Sequence, residues 1–249
     1  MVGTAGWQRI GPDPAIARWA EAALPLARAA LFATDQALRC GGTWAVGLDL
    51  LPNDAEGTVA GVPLPWPLLG LPPEPLHKAQ LSTTYPGYPQ PSDEESESAF
   101  RFRLTRDAAH LDGLLPIGPT RQRMVKEPHG WILGLPLTEA DPHASPLVVW
   151  EGSHEILRAA LRQALTPHPP EGWGEVDLTA AYAEARRTVF QTCPRRELPA
   201  RPGEALLMHR LTLHGVAPWA PGAQAAPEGR MIAYFRPQLP DVAGWLTLP

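Results

Sequence analysis

Thirty-one prolines and 22 glycines are scattered through 249 residues. Proline cannot continue a helix interior and glycine weakens one, so no long uninterrupted helix or coiled coil is expected. The glycines follow no Gly-X-Y period, which excludes collagen. Short strands joined by many turns are the texture left, and 44% hydrophobic residues suffice for a real core. Lys+Arg 21 against Asp+Glu 26 gives a net charge of -5, which argues against non-specific binding to nucleic acid or an anionic membrane surface. A small-molecule partner fits better. No stretch approaches 18 apolar residues, and Met1 to Pro14 has neither a basic nor an apolar leader region, so a cytoplasmic protein is expected. Cys40 and Cys193 form no CxxC pair, and each reads as a free thiol.

Asp13 followed by Pro14 is a helix start, with Ile16, Trp19, Ala20 and Leu24 at helical spacing, a break or kink expected at Pro25, and a stop at Gly41-Gly42. Strands are expected over 43–50, 80–85, 130–138, 146–151, 205–213 and 230–236. Phe100, Phe102 and Leu104 alternate with Arg101, Arg103 and Thr105, a period-2 pattern that predicts another strand. The proline-dense 63–75 reads as an irregular surface crossing and the acidic 86–98 as a solvated loop. Two helices are expected, from Ser153 to about Leu165 with Ser153 as N-cap, and from Asp177 to about Arg187. A helical layer followed by many short strands, without regular βα alternation, points to an antiparallel sandwich or open barrel.

Of eight histidines only one is followed two residues later by a carboxylate, His110-Leu111-Asp112. In extended backbone those two side chains share a face and could grip one metal. About one such match is expected by chance, so the motif alone carries little. A second segment raises its weight: Pro202-Gly-Glu-Ala-Leu-Leu-Met-His209-Arg-Leu-Thr-Leu-His214-Gly, then Arg230-Met-Ile-Ala-Tyr-Phe-Arg236. Two histidines and one carboxylate with open positions are the ligand set of non-haem Fe(II) oxygenases. Arg230 offers a bidentate clamp for a dicarboxylate. A hairpin symmetric about Gly222 would set His214 opposite Arg230 and Arg236 opposite Met208.

The order HxD, Gly152-Ser-His154 after a strand, PGEALLMHRLTLHG and an Arg-led strand resembles the phytanoyl-CoA dioxygenase-like branch of the 2-oxoglutarate/Fe(II) dioxygenases, over roughly residues 77 to 237. The resemblance implies a mainly β double-stranded β-helix (jelly roll, cupin-like) with flanking helices, as a single domain over 1–249 with a helical layer at about 13–40. It implies Fe(II) held by His110, Asp112 and His214, with His209 at the non-ligand position. It further implies 2-oxoglutarate held by Arg230, with Thr84 the candidate second contact in place of the longer basic residue common there. The implied reaction takes O2 and 2-oxoglutarate, releases succinate and CO2, and usually hydroxylates the substrate.

Arg101, Arg103, Arg106, Arg121, Arg123 and Lys126 flank the HxD, and read either as a basic mouth for an anionic substrate or as a solvated strand face. Trp131, Trp150 and Trp219 read as core more readily than as pocket lining. Two other functions compete: a metal- or ligand-binding β-barrel without turnover, which has no need of an Arg230 clamp, and a hydrolase using Ser153, which needs a base and an orienting group. Substrate and oligomeric state are not specified by these residues.

Overall fold

The computed structural model describes residues 2–36, 38–92 and 95–248, with backbone alone for residues 46–48. After strand β1 (Trp7–Ile10), Asp13 accepts a hydrogen bond from the Ala15 N–H at 2.7 Å, and Pro14 opens helix α1 (Pro14–Ala33). The helix runs through Pro25 instead of breaking there, and ends well before Gly41. One lost backbone bond is outweighed by packing, because Ile16, Trp19, Ala20, Ala23 and Ala27 are buried along one stripe.

Then follow β2 (Trp44–Asp49), the short α2 (Trp66–Leu69), β3 (Gln80–Thr84), α3 (Glu97–Thr105), the hairpin β4 (Leu114–Ile117) and β5 (Gln122–Val125), β6 (Trp131–Pro136), β7 (Leu147–Trp150), α4 (Ser153–Leu165), α5 (Thr179–Thr192), β8 (Arg195–Leu198), β9 (Ala205–His209), β10 (His214–Val216), β11 (Arg230–Phe235) and α6 (Val242–Thr247). Six strands form one sheet in the order β1-β9-β6-β11-β3-β2, and three form another, β10-β7-β8. His110 extends the second sheet, exchanging backbone bonds with His214 at 2.8 and 3.2 Å. From β3 onward the chain passes between the two sheets in turn: β3 in the first, the His110 segment in the second, β6 back in the first, β7 and β8 in the second, β9, β10 and β11 alternating again. This is a double-stranded β-helix, or jelly roll, with flanking helices.

Strand alternation sorts the core into layers. Between the sheets lie Ile132, Leu206 and Met208 with Leu147, Val149 and Leu198. Leu133, Leu135, Leu207, Ala233 and Phe235 point the other way, onto α1. Val148 and Trp150 pack outward onto Leu157 and Leu161 of α4 and Tyr182 and Val189 of α5. The 63–75 stretch is more than a surface crossing, since Leu64, Trp66, Leu69 and Leu71 are buried in the α1 layer.

Three further expectations are overturned. Residues 100–105 form the last two thirds of α3: the Ser96 hydroxyl accepts from the Ala99 N–H at 3.3 Å, and Glu97 pairs with Arg101 one turn on. That capping sets the helical period over the Phe/Arg alternation. Gly152, in left-handed backbone, is the N-cap of α4, while Ser153 lies inside the helix and its Oγ accepts from the Leu213 N–H at 2.9 Å. β10 and β11 form no hairpin: they lie in different sheets, Arg230 stands opposite Thr84, and Met208 faces Trp7 and Ile132. Within the acidic 86–98 stretch, residues 93 and 94 lie outside the described residues.

Candidate metal centre

Strand pairing brings together side chains that are about a hundred residues apart in sequence. His110 and His214 face each other across the rung that joins them, with ring centroids 4.5 Å apart. The residue after His214 must be glycine for this rung to close: a Cβ on Gly215 would sit 2.1 Å from the Asp107 carbonyl oxygen. Asp107 and Ala108, just ahead of His110, hold left-handed backbone at φ 53°, a strained conformation for residues with a Cβ. A two-pronged ion pair braces that turn, with Arg195 Nε and Nη2 each 2.8 Å from an Asp107 carboxylate oxygen.

His110 Nδ1–H donates to the Ala108 carbonyl at 3.0 Å, and His214 Nδ1–H to the Thr212 carbonyl at 2.9 Å. Each ring is thereby held in the tautomer that leaves an Nε2 lone pair free for a metal. Both Nε2 atoms face one oxygen, Asp112 Oδ1, at 3.3 and 3.6 Å. One ligand atom from each of the three residues lies within 4.8 Å of the others, and no other such group occurs among the described residues. His110 is the outer member, with 47% of its side chain exposed, against 11% for Asp112 and 8% for His214.

Electrostatics tie the three into one unit. Burial would raise the Asp112 carboxyl, but the His214 charge, the His110 bond and Arg236 hold it well below the usual carboxylate range. His214 is pushed down to about 4 by burial and by the His110 charge. His110 moves up, because the bond and charge of Asp112 outweigh burial. Two imidazoles and a carboxylate with lone pairs converging on one point form a cation's donor set.

Arg230 and Thr84 are direct cross-strand partners on β11 and β3, and by alternation they share the inter-sheet face with Ile232, Tyr234, Gln80 and Ser82. Both are buried, and Arg230 Nη1 and Thr84 Oγ1 have no hydrogen-bond partner. Trp44 continues the row on β2, opposite Thr84. The triad opens into a cavity lined also by Trp44, Ser82, Leu147 and Tyr234. Of the tryptophans weighed from sequence, Trp131 and Trp150 belong to outer layers and Trp219 packs near Tyr88, so Trp44 is the one sequence reasoning missed.

Arg236 was also missed. It follows β11 and its Nη1 donates to Asp112 Oδ2 at 3.1 Å, a contact 124 positions apart in sequence that no local pattern announces. His209 stays outside the triad, its Nε2 2.6 Å from the Arg158 guanidinium. Five of the six flanking basic residues are spent elsewhere, and Arg121 is exposed. Arg101, Arg103 and Lys126 pair with Glu97, Glu95 and Glu175, Arg106 lies over the Phe190 ring, and Arg123 donates to the Leu114 carbonyl.

No helix among the described residues is long and apolar enough to cross a membrane. No protein-family model matches the sequence, and no curated protein matches it. Among solved structures the chain is similar to SnoK, a non-haem α-ketoglutarate-dependent carbocyclase of nogalamycin biosynthesis, at 14% identity over 97% of this chain and 85% of that one, with a TM-score of 0.48. It is also similar to SnoN, the α-ketoglutarate-dependent epimerase of the same biosynthesis, at 14% identity over 94% and 79% with a TM-score of 0.46. A third similar structure is EctD from S. alaskensis with 2-oxoglutarate and 5-hydroxyectoine, at 18% identity over 94% and 72% with a TM-score of 0.41.

Proposed function

We propose that this chain is an Fe(II)- and 2-oxoglutarate-dependent oxygenase that hydroxylates a small molecule, of the phytanoyl-CoA dioxygenase-like kind that its motif order resembles, acting as one unit over 1–249. One observation carries the reading. The only three-residue metal cluster among the described residues shares the inter-sheet space with a buried guanidinium nitrogen and a buried hydroxyl, Arg230 Nη1 and Thr84 Oγ1, that have no partner. A buried donor without an acceptor costs about 1–3 kcal/mol, more when charged. A carboxylate of a bound dicarboxylate would satisfy both groups, and a metal-binding barrel without a co-substrate has no use for them.

His110, Asp112 and His214 would hold the iron, Arg230 and Thr84 the distal carboxylate of 2-oxoglutarate. When bound, this pair supplies O2 activation coupled to decarboxylation of 2-oxoglutarate to succinate and CO2. The chain's own part is binding, orientation and exclusion of water. Ala108 and Thr212 carbonyls hold the neutral rings in the tautomer that aims both Nε2 lone pairs at the centre, while Trp44, Leu147 and Tyr234 wall the cavity. Burial pushes the Tyr234 hydroxyl up, so it stays a neutral donor beside Arg230. A cleft of about 510 Å³ lined by Asp49, His77, Glu127, His129 and Arg236 borders the triad through Arg236, and it is where the substrate would enter.

Anaerobic titration with Fe(II) and then 2-oxoglutarate tests the reading. A visible metal-to-ligand charge-transfer band is expected, lost in Arg230→Ala at the same co-substrate concentration. Iron binding without a band would leave a metal-binding barrel instead.

A further inference from the structure

The carboxylate of Asp112 is divided between two tasks. Its Oδ1 faces the two imidazole Nε2 atoms, and its Oδ2 accepts from Arg236 Nη1 at 3.1 Å. We propose that Arg236 is a positioning residue that holds Asp112 to a single ligating oxygen, an inference that rests on the metal-centre reading above.

A free aspartate can ligate a divalent ion with one oxygen or with both. A facial set that keeps three positions open needs one oxygen from its carboxylate. A charge-assisted bond from a guanidinium to the second oxygen takes that oxygen out of contention and fixes the plane of the carboxylate. The guanidinium is suited to this because its own backbone is held. The Arg236 carbonyl accepts from His129 Nδ1–H at 3.1 Å and from His77 Nε2–H at 3.0 Å. His129 is buried, and the chain on either side is pinned by the Gly130 N–H to the Pro237 carbonyl and the Leu239 N–H to the Pro128 carbonyl. Only 13% of the Arg236 side chain and 11% of that of Asp112 is exposed, so water competes little for the contact. Arg230 opens β11 and Arg236 follows its last residue, and they divide the labour: Arg230 Nη1 has no partner, whereas Arg236 Nη1 is bound to Asp112 and its Nε is the nitrogen left over.

The test uses the full chain as wild type, Arg236→Leu and Arg236→Lys. Three quantities are read: anaerobic Fe(II) affinity by calorimetry, the d–d absorption of bound Co(II), which weakens as coordination number rises, and 2-oxoglutarate affinity at saturating metal. Arg236→Leu is expected to weaken Fe(II) binding about ten- to a hundredfold, in the range found for residues that orient metal ligands, and to weaken the Co(II) absorption. Arg236→Lys should recover most of the affinity and the absorption, and 2-oxoglutarate affinity should change less than metal affinity in both. Unchanged Fe(II) affinity and Co(II) absorption in Arg236→Leu would overturn the role. So would a loss that tracks a lowered unfolding midpoint and is not recovered by lysine. If wild type binds Fe(II) but gives no band with 2-oxoglutarate, the oxygenase reading fails while the metal data still decide Arg236. If wild type binds no metal, both fall.

Discussion

The two arginines that flank β11, one at its first residue and one just past its last, show what a buried guanidinium means when it is bound to a residue of the centre and when one of its nitrogens is left over. Arg236 donates to Asp112 and has its carbonyl held by two histidines, so it is part of the frame. Arg230 is more deeply buried, at 5% exposure, with its Nη1 unpartnered beside the Thr84 hydroxyl, which has no partner either. A fold gains nothing from an unsatisfied guanidinium in its interior. Each keeps one buried nitrogen without a partner, Nε in Arg236 and Nη1 in Arg230, but Arg236 is anchored on Asp112 while Arg230 Nη1 reads as half of an interaction whose other half arrives with a ligand. Substitutions at the two positions should therefore move stability in opposite directions.

The largest effect lies at the residue the frame serves. Asp112→Ala removes a ligand and leaves Arg236 without its acceptor, and Fe(II) binding is expected to fall below detection by calorimetry. Next is Gly215→Ala, which pushes a Cβ against the Asp107 carbonyl. A loss of about 3 kcal/mol in denaturant unfolding is expected, at the upper end for forced overpacking, with weakened metal binding because the His110–His214 rung must open. The contrast itself is tested by Arg230→Met, which should raise the stability of the ligand-free protein by about 1–3 kcal/mol while abolishing 2-oxoglutarate binding. A stability loss there as large as that of Arg236→Leu would erase the distinction.

A buried group without charge sharpens the comparison further. His209 is pushed down to about 2, first by burial and then by Arg210, so it stays neutral in the fold but takes a proton near pH 6.5 once unfolded. The unfolded state then binds more protons, and stability should fall as pH drops below about 6.5, by about 1.4 kcal/mol per unit from this residue. His209→Gln should flatten that slope in unfolding measured between pH 7 and 5. The smallest effect is far from both arginines: Asp13→Ala should cost about 1 kcal/mol by uncapping α1 and leave metal and 2-oxoglutarate affinities unchanged.

The chemistry of the centre was more legible than its architecture. His110, Asp112 and Arg230 could be singled out because metal ligation and anion binding restrict residue type and spacing, while the choice of His214 over His209 and of Thr84 came from the family resemblance; the structure brings His110, Asp112 and His214 within reach of one point and makes Arg230 and Thr84 neighbours. Their relation was misjudged: the hairpin that set His214 opposite Arg230 assumed adjacent strands pair, whereas the jelly roll sends them to different sheets. The strand read into 100–105 failed because six alternating residues fit either period, and the deciding signal, Ser96 with Glu97, sat in a stretch read as loop. β8, Arg195–Leu198, was invisible because an edge strand with an exposed, charged sequence has little apolar pattern to show. Helix α1, with a capped start and a buried stripe, was the element most open to prediction.

The bond ladder between His110 and His214 carries one more consequence. Two candidate metal ligands that are themselves a hydrogen-bonded sheet pair, with N–H to carbonyl distances of 2.8 and 3.2 Å, have their spacing set by the main chain before any ion arrives. Loading the centre then needs little ordering of the chain, and the amide protons of these two residues become its reporters. Their exchange with deuterated solvent should already be slow in the metal-free protein and slower still with metal bound, because the ion locks the same rung from the side-chain end.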